Sequence, residues 1–127
     1  MAKFVADAVL DDGLDNIATA TLLTVCTTQP ATYGDATSDL KLADVVVTAG
    51  IGGGDFTLAD GDVSGRKLTV AAQSAVPIDT SGNAQHIALV RVSDTTLLFV
   101  TTCTLQALTA GGTVDIPAFD IEMADPT

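Results

Sequence analysis

The sequence predicts a mainly β protein, an antiparallel β-sandwich or barrel with one N-terminal amphipathic helix. Three observations carry that prediction. After residue 20 the chain divides into short runs rich in Val, Thr, Leu and Ile, each closed by Gly, Asp, Ser or Pro. The connections between these runs are of hairpin length, which favours antiparallel pairing. There is no strand–helix–strand alternation and no repeat of fixed period. The 127 residues carry no interdomain linker and suit one domain, 1–127.

The helix is predicted over about residues 4–20. Phe4, Val5, Val9, Leu10, Leu14, Ile17 and Ala18 fall mostly along one helical face, with Asp11, Asp12, Asp15 and Asn16 opposite. Gly13 weakens that helix by about 1 kcal/mol relative to Ala. Seven or eight strands follow. LLTVCTT (22–28) is stopped by Gln29-Pro30, and 31–39 reads as a turn-rich loop. LKLADVVVT (40–48) is followed by the Gly-rich segment 49–55, a tolerant loop. FTLAD (56–60) and RKLTVAAQ (66–73) flank a turn at 61–65. A break over 77–83 precedes AQHIALVRV (84–92) and TLLFVTTCT (96–104). Two short strands around the turn Ala110-Gly111-Gly112 close the chain.

Charge and composition restrict function. Sixteen acidic residues against five basic ones give a net charge of −11. Such a chain repels phosphate backbones and anionic membrane surfaces, and Lys3, Lys41, Arg66, Lys67 and Arg91 are scattered. Neither nucleic acid nor membrane is therefore an expected partner. The core must be built from small side chains, because only four Phe, one Tyr and no Trp are present. Small residues bury little area at about 25 cal/mol per Å², so burial against other subunits is expected to help. The N-terminus lacks the apolar core of a signal peptide, which makes the cytoplasm the expected place of synthesis. There Cys26 and Cys103 read as buried free thiols rather than a disulfide.

No segment assembles a catalytic or ligand-holding pattern. Gly50 to Gly54 lacks the Lys and the following helix of a phosphate cradle, and Asp55 stands where phosphate would sit. Asp55, Asp60 and Asp62 lack the spacing and the closing Glu of a calcium loop. His86 is the single histidine, with no second ligand or nucleophile beside it in sequence, and reads as structural. No catalytic, cofactor-binding or metal-ligating residues are assigned, and no cofactor and no enzymatic activity are expected.

Three segments bring a resemblance into view: CTTQPATYGDA (26–36), DGDVSGRKLTVAAQ (60–73) and IPAFDIEMADP (116–126). With FVADAVLDDGLDNI at the start, they resemble a family of small virion proteins of tailed bacteriophages over essentially the whole chain. Some members of that family look like head decoration, or cement, proteins. The resemblance implies a non-enzymatic structural protein on the capsid exterior, binding the major capsid protein as a homo-oligomer, a trimer. Attachment is expected through Phe4, Val5 and Val9 of the helix and Phe119, Ile121 and Met123 of the tail segment, the alternative being that both segments simply pack on the sandwich core. A tail or fibre-base component is the alternative. A carbohydrate-binding module is a further one, which would need Tyr33 and Phe56 exposed on one loop face.

Overall fold

The computed structural model describes residues 6–62 and 64–123. Helix α1 (Asp7–Ile17) precedes nine strands: β1 (Leu22–Cys26), β2 (Lys41–Val46), β3 (Phe56–Asp60), β4 (Arg66–Val70), β5 (Gln73–Pro77), β6 (Gly82–Arg91), β7 (Thr96–Leu108), β8 (Thr113–Ile116) and β9 (Phe119–Met123). All their ladders are antiparallel, in three sheets ordered β2-β1-β6-β7, β3-β4-β9 and β5-β8. The fold is mainly β with one N-terminal helix, as the alternating runs require.

The four-stranded sheet is apolar on both faces, and that explains why β1 reads as a continuous apolar run. Leu23, Val25, Ile87 and Leu89 face the main core. Cys26, Ala88 and Val90 face a smaller cluster roofed by Tyr33, Ala36 and Leu40. That roof is the segment read as a loop, and its Asp35–Asp39 stretch is wound into a π-helical turn. Thr32 Oγ1 accepts the Asp35 N–H at 3.1 Å, and Asp35 Oδ2 accepts the Ala31 N–H at 3.2 Å. These local bonds compete with strand formation and hold the segment as a cap.

The three-stranded sheet shows period-two patterning in its register. Its inner rows are Phe56–Val70–Phe119, Leu58–Leu68–Ile121 and Asp60–Arg66–Met123. The first two rows enter the main core. The third meets α1, where Arg66 Nε donates to Asp11 Oδ1 at 2.7 Å and Arg66 also pairs with Asp60. Position 13 lies beside Met123: a Cβ there would come within 3.2 Å of Sδ. A glycine at 13 therefore allows close helix–sheet approach, and its low helix propensity is the cost of that fit.

Several expectations need correction. Within the described residues α1 ends at Ile17, and residues 18–20 form a turn in which Thr19 N–H and Ala20 N–H bond to Asn16 O and Ile17 O. Leu10 and Leu14 are the side chains α1 buries, whereas Val9 is 61% exposed. Strand β5 forms in a segment not read as a strand. The last part of β7 runs four residues beyond the predicted end at Thr104, to Leu108. The Gly-rich segment is shaped by positive φ at Gly50, Gly52 and Gly54 (99°, 87° and 110°), which side chains resist. It is tied down by Gly50 N–H to Ala18 O at 2.8 Å and Thr48 N–H to Asp55 Oδ2 at 2.6 Å.

Candidate interaction surface

The residues expected to form an attachment surface are divided by the fold. Phe4 and Val5 lie outside the described residues. Val9 is exposed on α1. Phe119, Ile121 and Met123 alternate along β9 and all occupy its inner face. Ile121 is 7% exposed and belongs to the core, so its side chain serves the fold rather than a partner. Met123 is 37% exposed beside α1, and Phe119 is half-buried at the edge of a cleft. Period two was legible for these three residues. Which face is inward depended on pairing with β4, a strand fifty residues earlier in the chain.

The cleft, about 690 Å³ in volume, lies between β7 and the β8–β9 segment. Val25, Ala84 and Ile87 contribute its apolar floor, residues 101–104 one wall, and residues 114–117 with Phe119 and Asp120 the other. It arises because β7 and β8 leave the turn at 109–112 as two arms that form no ladder with each other among the described residues. The arm β8 pairs with β5 instead. No sequence motif signals such a gap, because it depends on a pairing choice made in three dimensions.

Charge around the surface is one-sided. All four basic residues in the described segments are in ion pairs. Lys41 contacts Asp44 and Asp79, Lys67 contacts Asp62 and Asp120, Arg91 pairs with Asp94, and Arg66 holds Asp11 and Asp60. These pairs are partly exposed and screened by solvent, so they orient side chains more than they stabilise the fold. The three Asp residues weighed as a calcium loop have separate partners: Asp55 the Thr48 N–H and Gln73, Asp60 Arg66, and Asp62 Lys67. At the cleft, Asp115 Oδ1 accepts the Ala75 N–H at 2.8 Å, and no basic side chain lines the opening.

The two thiols are separated by the four-stranded sheet. Cys26 is fully buried in the small cluster, while Cys103 is half-buried, packs against the main core and lines the cleft. Both are free. Burial pushes both thiols above their ordinary pKa; for Cys26 the nearby Asp35 adds to this and the Thr24 hydroxyl opposes it. Because the thiolate is the reactive form, alkylation at pH 7 should be slow at both. We expect Cys103 to label first in the folded protein, at a rate rising about tenfold per pH unit through pH 9. Cys26 should label only on unfolding. Timed alkylation read by mass spectrometry checks this, and equal rates for the two would contradict the burial assignments.

His86 pairs with Cys26 on one side and Thr102 on the other, and its buried Nδ1 has no hydrogen-bond partner. It is not among the residues lining the cleft. Phe56 is fully buried and Tyr33 packs on the small cluster, so the two rings a sugar-stacking face would need are not displayed together. No helix of the described residues is long and apolar enough to cross a membrane. No family model, no curated protein and no solved structure matches the chain.

Proposed function

We propose that this chain is a non-enzymatic virion protein that decorates and stabilises the capsid of a tailed bacteriophage, binding the major capsid protein from outside as a homotrimer. The observation that carries the reading is the resemblance of residues 26–36, 60–73 and 116–126 to small virion proteins of such phages. Features of the fold are in keeping with it. Large apolar side chains stand exposed on an otherwise acidic molecule: Val9, Val46, Val92 and Leu105. A net charge of −11 keeps such a surface soluble before assembly. A small-residue core gains from the extra burial that docking on a lattice supplies.

Cryo-electron microscopy of the intact virion tests the reading. We expect density for this fold repeated over the shell at three-fold or quasi-three-fold positions. Density confined to the tail or to one vertex would overturn decoration and establish the tail-component alternative.

A further inference from the structure

We propose that the cleft between β7 and β8 is an acceptor site for an extended segment of another protein, which adds as a strand to the free edge of β7. This deepens the capsid reading, on which it rests for the identity of the partner.

Four observations on the fold lead there. First, β7 is an edge of the four-stranded sheet, and among the described residues no ladder or backbone hydrogen bond satisfies its outer side. The opposite edge is occupied: Ala43 of β2 bridges to Ile78, and Leu42 O accepts the Asp79 and Thr80 N–H groups at 2.8 and 3.0 Å. Second, the thirteen residues of β7 contain no charge and no proline. Edge strands are ordinarily guarded by short length, charge or Pro, because a row of open N–H and C=O groups templates pairing. Third, the register slip between Ala84 and His86, whose partners are Gln106 and Thr102, places extra β7 residues at 103–105. Cys103 and Thr104 of this bulge line the cleft. Fourth, the cleft floor is apolar and runs inward from β7 through Ile87 of β6 to Val25 of β1, so an added strand would point alternate side chains toward this floor and leave the others in solvent.

Charge selects the occupant. Asp115 stands at the cleft in no ion pair among the described residues, whereas Asp120 on the same wall is already paired with Lys67, and Lys41, Arg66 and Arg91 are engaged away from the cleft. A second copy paired edge to edge would bring another uncharged β7 and another Asp115 to the same seam, with no cation to meet either carboxylate. The fitting segment therefore alternates medium apolar side chains with Lys or Arg and comes from a different chain. A heterologous contact of this kind also leaves each subunit of a trimer with its own site.

The test uses the full chain and two synthetic heptapeptides that alternate Val with polar residues, one carrying Lys and the other Glu at the same positions. The readouts are maleimide labelling of Cys103, which lines the cleft, and hydrogen exchange of β7. At a peptide concentration about ten times Kd, the basic peptide should slow labelling about tenfold and protect amides within 101–106. The acidic peptide should do neither. Asp115→Asn keeps an acceptor for the Ala75 N–H and should abolish the preference between the two. Absence of protection by the basic peptide overturns the proposal. Slowed labelling without amide protection also overturns it, because that reports a side-chain pocket and not an added strand. A free protein that sediments as a dimer with β7 already protected assigns the edge to a second copy, and overturns it as well. Failure of the peptide with shell density intact rejects the acceptor site alone; binding of the peptide with no shell density rejects only the capsid partner.

Discussion

Phe56→Ala should lower the stability of the folded chain by about 3–5 kcal/mol, a large part of the roughly 5–15 kcal/mol available to a domain. Phe56 is the largest fully buried side chain among the described residues and one of only four phenylalanines in the sequence. It begins β3, lies across from Val70, and continues through β4 to Phe119. Its backbone carbonyl also accepts the Gly52 N–H at 3.2 Å, a bond that ties the start of β3 to the Gly-rich loop and is kept in the alanine variant. At about 4 °C per kcal/mol for a chain of this length, the melting temperature should drop by about 12–20 °C. Scanning calorimetry measures this directly. A drop below about 4 °C, the equivalent of 1 kcal/mol, would show that the ring is not a keystone of the core.

The same residue illustrates how far the sequence could be read. FTLAD was legible as a strand with bounds 56–60, because the large apolar Phe56 and Leu58 alternate with the smaller Thr57 and Ala59, and Asp60-Gly61 stops the run. Its partner after the 61–65 turn was legible for the same reason. The local pattern did not reveal β5. Ala75 takes φ 53° within it, Pro77 removes a donor, and the ladder to β8 is irregular between Gln73 and Val76. That strand is held by long-range partners, among them Asp115, which accepts the Ala75 N–H from forty residues away.

Candidate surface residues were harder to read than strands. Apolar residues in a tail segment are equally compatible with docking outward and packing inward. Period two groups Phe119, Ile121 and Met123 on one face, but only pairing with β4 fixes that face toward Leu68 and α1. Val9 shows the converse, counted with the apolar stripe yet turned to solvent because α1 seats itself on Leu10 and Leu14. The cleft was invisible for a third reason. It is made by two consecutive strands that fail to pair, and every hairpin-length connection in sequence argues that they should.

How α1 is attached leads to the second large effect. Leu14→Ala should cost about 2–5 kcal/mol, and it should act on the helix before it acts on the sheets. An eleven-residue helix is too short to persist on its own propensity, and Gly13 lowers that propensity further. Its seat is narrow: Leu14 and Ala18 in the core, Leu10 beside them, and the Arg66–Asp11 ion pair. The ion pair is partly exposed and contributes little by comparison. Removing the Leu14 side chain therefore leaves α1 held mainly by Leu10, by Ile17 at its end and by Ala18 just beyond it, while the ladders of β1 with β2 and β6 stay intact. We expect amides of residues 10–17 to lose hydrogen-exchange protection under native conditions, with those of β1 and β6 keeping theirs. In denaturant, helical circular dichroism should fall before the β signal does, where the parent protein shows one transition. Coincident transitions in the variant would mean that α1 and the sheets form one cooperative unit. The inner row Asp60–Arg66–Met123 would then be a structural part of the core, and not a surface on which a helix rests.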